Sequence, residues 1–181
     1  MKRLCIGAAA GFALLTVLFI LIYRITGLGW TESYAITFGT CTYHFWMRLA
    51  VGTMTDRIMH NRADCTKRRY QQRGWEPKLY KILRIKRWKQ YVPTFAPEYF
   101  SPQLHSWDEI AQAMCQSETV HIICVVLSFV PLLGAIPFGA LPVFLLTSVA
   151  AALLDAVFVA VQRYNRPRIL HLAALQNKKG N

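Results

Sequence analysis

Glu118 and His121 stand three residues apart where a helical pattern runs into an apolar stretch. At roughly 100° per residue, Ile110, Met114, Ser117 and His121 share one side of that helix, with Glu118 about 60° from His121. A histidine beside a carboxylate is the pairing that acyl transfer to a hydroxyl requires. The imidazole takes the hydroxyl proton while the carboxylate fixes the tautomer and stabilises the imidazolium. The same spacing also serves a buried polar pair that ties helices together. E-x-x-H occurs in carboxylate-bridged di-metal bundles too, but those need it twice with two further glutamates. One copy is present here, so no metal site is expected.

Two further groups place ionisable residues among apolar ones, where they are costly and mark sites by default. His44 and Arg48 are four apart, so one helix face presents both. Asp155 lies in a later apolar run and is a candidate partner for either of them. The run then leaves through Gln162-Arg163-Tyr164-Asn165-Arg166-Pro167-Arg168, where Pro167 is expected to end the helix near Asn165 or Arg166. The cysteines carry no metal signal: Cys5, Cys41 and Cys124 are in apolar runs, Cys65 and Cys115 are not, and no C-x-x-C occurs. They read as reduced thiols.

The elements that must hold these residues are apolar helices. The chain has 181 residues, 54% hydrophobic and 17% charged, with 21 Lys+Arg against 9 Asp+Glu; its mean hydropathy is +0.27. That balance excludes a disordered chain and a small disulfide scaffold. Leu4 to Tyr23 is uncharged and long enough to cross a roughly 30 Å hydrocarbon core. No small-x-small cleavage site follows it, so an uncleaved span is expected. Further spans are expected at about 36–54, 119–136 and 141–161, the last two as a hairpin turning at Pro131, Gly134, Pro137, Gly139 and Pro142. Twelve Lys/Arg lie between Arg57 and Lys89 and five more from Arg163 onward, while the segment from Arg24 to Ala35 has one. Four spans with both termini and residues 55–118 in the cytoplasm satisfy the positive-inside rule. The expectation is a single all-α, multi-pass domain over 1–181 in the cell membrane, with a basic cytoplasmic or interfacial helical segment between helices 2 and 3 and a basic tail at 162–181.

Within that segment, Lys78 to Lys89 alternates cations with Leu79, Ile82, Leu83 and Ile85 at helical spacing. This is the pattern of one helix lying on an anionic leaflet or holding anionic groups, rather than of nucleic-acid binding. Ser106-Trp107-Asp108-Glu109 has the spacing of a capping box and starts a helix that continues into the third span.

Three stretches carry a resemblance. Ile85-Lys86-Arg87-Trp88-Lys89, Glu118-Thr119-Val120-His121 and Val161-Gln162-Arg163-Tyr164-Asn165-Arg166-Pro167-Arg168 are similar, in order and spacing, to motifs of the glycosyl-4,4'-diaponeurosporenoate acyltransferases. The resemblance covers roughly the last hundred residues and is weak before about Thr66. It implies transfer of a fatty acyl group from an acyl thioester, acyl-CoA as co-substrate, to a hydroxyl of a membrane-embedded lipid or glycolipid. No other cofactor is implied. His121 would be the general base, Glu118 its orienting group and Asn165 an oxyanion donor. Arg163, Arg166, Arg168, Lys86, Arg87 and Lys89 would bind donor phosphates, with Trp88 beside them. His44 and Arg48 are further candidate substrate contacts. The alternatives are a non-catalytic membrane subunit that binds a partner enzyme or anionic lipid, and a metal-dependent hydrolase using Glu118, His121 and His44.

Overall fold

The first apolar run forms helix α1 (Lys2–Thr26), which stops at Gly27. There φ is +67°, a left-handed value that glycine adopts without strain, and the Gly27 amide closes the last turn on Tyr23 O at 2.8 Å. Helix α2 (Gly29–Met59) returns against α1. An aromatic ladder joins the two: Phe12 stacks on Phe38 and Phe45, and Phe19 stacks on Tyr34. Phe12 meets the later residues of α2 and Phe19 the earlier ones, so the helices are antiparallel. Leu14, Val17, Leu18 and Leu21 of α1 remain exposed, as a lipid-facing surface requires.

This computed structural model describes residues 2–94 and 96–180, with the side chains of residues 2, 179 and 180 excepted. All regular elements among them are helical. Two compact units are present: residues 1–52 with 123–155, and residues 53–122 with 156–181. They are called unit 1 and unit 2 below.

Unit 1 contains the expected hairpin. Helix α5 (Trp107–Leu127) is followed by a 3₁₀ turn (Val130–Gly134), the short helix α6 (Ala135–Phe138) and helix α7 (Leu141–Gly180). The prolines and Gly139, at φ +69°, account for the broken path. Gly134 is required for a different reason: a Cβ there would stand 2.9 Å from Phe144 Cζ.

Unit 2 contains two more short helices, α3 (Glu76–Ile82) and α4 (Ile85–Trp88). The single interfacial helix expected over Lys78–Lys89 is therefore broken, at Arg84, whose φ is +51°. The break lets Tyr80 and Ile85 both be buried while Leu79, Ile82 and Leu83 stay exposed. The capping box forms as expected. The Ser106 amide donates to Glu109 Oε2 at 2.8 Å, and the Glu109 amide to Ser106 Oγ at 3.3 Å.

A second expectation fails at Pro167, which lies inside α7 rather than at its end. The residues beyond it are held by packing on the start of α5. Ala173 is buried, Gln176 Oε1 accepts from the Trp107 amide at 3.5 Å, and Asn177 donates to Asp108 at 3.0 Å. Those contacts offset the one backbone hydrogen bond that proline removes.

Three helical stretches are long and apolar enough to cross a membrane: Arg3–Thr26, Trp107–Phe138 and Leu141–Lys178. Helix α2 is long enough but holds Glu32, His44, Arg48, Asp56 and Arg57.

Candidate active site

Unit 2 brings most of the candidate residues together. Glu118 is 1% exposed, and each of its oxygens accepts from an arginine of α7. Arg163 Nη1 donates to Oε1 at 2.6 Å, and Arg166 Nη2 donates to Oε2. Arg163 also grips Glu76, with Nε 3.1 Å and Nη2 2.6 Å from Oε1. Its remaining hydrogens reach the carbonyls of Arg69 and Gln71, both at 2.8 Å. Arg166 donates to Tyr70 O at 2.6 Å. Two carboxylates thus balance two guanidinium groups, and the arginines tie α3, α5 and the loop at 69–71 to α7. Such pairs are favourable inside a protein only when nearly every hydrogen-bonding position is filled; Arg163 meets that condition, while Arg166 leaves its Nε buried without a partner.

This arrangement alters the expected roles. The resemblance assigns Arg163 and Arg166 to donor phosphates, but one is mostly buried and the other almost wholly so, each bound to a carboxylate. Their place is to brace the helix. Glu118 binds guanidinium groups with both oxygens, so any effect on His121, one turn further along α5, comes in addition to that bond. The His121 ring stacks face to face on Phe158, with centroids 4.6 Å apart and planes 9° apart.

Glu76 is absent from the residues that the sequence singles out. Its only local signal is the Pro77 that follows it at the start of α3. Burial pushes its carboxyl up, but the hydrogen bonds from Arg163 and from Tyr80 Oη at 2.7 Å outweigh that and hold it below the usual carboxylate range. Burial, and then the Glu76 hydrogen bond, raise the Tyr80 phenol well above its ordinary value.

The exposed cations gather elsewhere in unit 2. A cleft of about 600 Å³ is lined by Lys81, Arg84, Lys86, Arg87 and Arg168, with Tyr80 and Tyr164 among its walls and no carboxylate lining it. Lys86, Arg87 and Arg168 are expected there from the sequence; Lys81 and Arg84 are not. Lys89 is half-buried beside them, cation over the Tyr164 ring at 4.9 Å, and donates to Asn165 Oδ1. Burial, then the charges of Arg168 and Lys86, lower its ammonium from the usual lysine value. An ammonium has only hydrogens to offer, so Asn165 must turn its oxygen to Lys89 and its NH2 donors away. Trp88 Nε1 donates to Leu83 O at 2.8 Å and secures the turn between α3 and α4.

His44 and Arg48 belong to unit 1. Arg48 forms the expected ion pair with Asp155, Nη2 to Oδ2 at 2.6 Å, and donates to the carbonyls of His44 and Ala151 at 2.8 and 3.0 Å. His44 is 4% exposed. All five cysteines are free; in unit 2, Cys115 Sγ lies 3.2 Å from Cys65 Sγ. Among the described residues no group of three or more His, Cys, Asp or Glu side chains is placed to hold a metal ion.

The chain thus has the parts of a membrane protein: helices long and apolar enough to cross a bilayer, and, within unit 2, a cationic cleft built from its own helical motifs. The family model for glycosyl-4,4'-diaponeurosporenoate acyltransferase matches residues 66–175, well over half of the chain. The protein belongs to that family and is a membrane-embedded acyltransferase. Comparison with curated proteins and with solved structures finds no match in either.

Proposed function

We propose that the protein moves a fatty acyl group from a coenzyme A thioester to a hydroxyl of a membrane-embedded glycolipid, with His121 as general base. The observation that supports this most directly is the cleft with five cations and no lining carboxylate, built from the segments around Lys86 and Arg168. A soluble donor bearing several phosphates suits it. The phosphate ligands in this reading are Lys81, Arg84, Lys86, Arg87 and Arg168, with Lys89 behind them. Arg163 and Arg166 position α7 instead.

In the reaction, the acceptor oxygen attacks the thioester carbonyl carbon while its proton passes to His121. The carbonyl oxygen gains charge and is met by the Asn165 amide hydrogens, which Lys89 turns outward. Collapse breaks the C–S bond, the proton on His121 goes to the departing thiolate, and ester and thiol are the products. Phe158 keeps the imidazole ring in one plane throughout. The membrane frame in this reading has four spans, α2 included, with both termini in the cytoplasm of a cell-membrane protein.

Lipid extracts test the proposal. Cells expressing the wild type, His121→Ala or no protein are compared by mass spectrometry, with membrane insertion of both proteins verified. A lipid that gains one fatty acyl mass with wild type alone is the expected result. Equal acylation by His121→Ala removes His121 from the mechanism, and no new lipid with wild type removes the proposed reaction.

A further inference from the structure

Unit 1 contains polar atoms that the chemistry above does not use. Both ring nitrogens of His44 and the hydroxyl of Ser148 are buried without a hydrogen-bond partner, His44 being 4% and Ser148 0% exposed. Buried polar groups in native proteins are almost always partnered, and an orphan calls for a missing water, ion or ligand. These orphans are not scattered. Arg48 of α2 reaches Ala151 and Asp155 of α7, while His44 stands one turn from Arg48 and Ser148 one turn from Ala151. Arg48 therefore joins the two helices one turn from His44 and, through the Ala151 carbonyl, one turn from Ser148, with Asp155 a turn further along α7.

The donor and acceptor inventory limits what fits. A neutral imidazole offers one donor and one acceptor, and a serine hydroxyl offers one donor and two acceptors. Hydroxyl groups complement that set. The Arg48 charge is balanced by Asp155, so the locality does not select an anion. One imidazole and one serine are too few ligands for a metal ion. Leu145 and Leu146, the near neighbours of Ser148 in sequence, are exposed and suit contact with acyl chains. An uncharged, hydroxylated head group on a lipid tail meets all of these conditions.

We propose that His44 and Ser148 are the polar contacts of a binding site in unit 1 for the sugar hydroxyls of the glycolipid acceptor, with the Arg48–Asp155 pair closing one end. The assignment of acceptor rests on the acyl-transfer reading above. The site itself takes hydroxyls whatever reaction follows.

The test uses the full chain in phosphatidylcholine nanodiscs, with a monoglucosyl diacylglycerol as probe and diacylglycerol without the sugar as control. At roughly a hundred times its Kd, the glucolipid should raise the wild-type thermal midpoint by about 5–10 °C. The control should leave it unchanged. Ser148→Ala and His44→Leu should each lose the glucolipid shift, yet without lipid melt no lower than wild type, since each removes an unsatisfied polar group. No shift in the wild type, or a shift kept by both variants, overturns the proposal. So does a marked drop in the lipid-free midpoint of both variants, which would mean a structural water or direct pairing. A glucolipid shift in a protein that acylates no lipid refutes the reaction and keeps the site. Acylation by a wild type that shows no shift refutes the site alone.

Discussion

Replacing Glu118 by glutamine tests whether the arginine network holds unit 2 together. The substitution keeps shape and removes charge. The new amide could still accept from one arginine, but its NH2 would face the other guanidinium, donor against donor. Arg163 would keep its double hold on Glu76, whereas Arg166, 1% exposed, would keep only the Tyr70 carbonyl. A buried charge that loses its partner costs about 3–5 kcal/mol. For a chain of this size that is a fall in melting temperature of about 6–20 °C. Glu76→Gln should cost less, about 1–3 kcal/mol, because Arg163 keeps Glu118. Thermal challenge of detergent-purified protein, read by size-exclusion chromatography, measures both. Replacing the Arg166–Glu118 pair as a whole, Glu118→Leu with Arg166→Met, should recover about half or more of the Glu118→Gln loss, since an apolar pair leaves no stranded charge. A Glu118→Gln protein that melts within about 2 °C of wild type would refute the claim that this carboxylate offsets buried arginine charge.

Charge reversal of Lys86 or Arg87 should weaken coenzyme A binding by about 1.5–3 kcal/mol each, roughly ten- to hundredfold. Calorimetry at two salt concentrations should show the wild-type affinity falling with salt, and a variant of equal affinity would remove these cations from the cleft. Gly134→Leu should destabilise the hairpin by about 1–3 kcal/mol through collision with Phe144, and Phe144→Ala in the same chain should restore much of it; thermal midpoints decide. Because the Glu76 carboxyl is held below its ordinary value in the folded state, its stabilisation is present above that value and lost as pH falls through the folded one. Acid melting curves of wild type and Glu76→Gln should therefore converge below about pH 4, and parallel curves would exclude the effect.

The features legible in the sequence depend on neighbours a few residues apart. The capping box at Ser106 and Glu109 and the proline-broken hairpin are both of this kind, and both form. The failures share a different cause. Pro167 ends no helix because contacts with Trp107 and Asp108, some 69 residues away in the chain, stabilise the turns beyond it. The Lys78–Lys89 helix is broken because Tyr80 and Ile85, about 140° apart on a continuous helix, are both buried. Charge counting makes one basic cluster of the arginines in the last motif. Once α7 continues through Pro167, residues 163 and 166 share a face, and residue 168 lies on another. That face is where Glu76 and Glu118 wait, and a count of charges is blind to it. His44 and Arg48 are legible as anomalies, and the Asp155 partner is among the expected ones, but Ser148 resembles any small residue in an apolar run.

The stack between His121 and Phe158 restricts direction as well as place. The lone pair of an imidazole nitrogen lies in the plane of the ring, and a phenyl ring almost parallel to it occupies one of its faces. A hydroxyl that gives its proton to His121 must come in edge-on. Flipping the imidazole by half a turn exchanges its two edges and leaves that plane unchanged. In the proposed reaction the trajectory of the acceptor oxygen is therefore set by an aromatic side chain that takes no part in proton transfer. If the acceptor is a sugar, as proposed, the hydroxyl whose O–H bond can lie in this plane has the advantage, and selection among chemically similar oxygens would be angular.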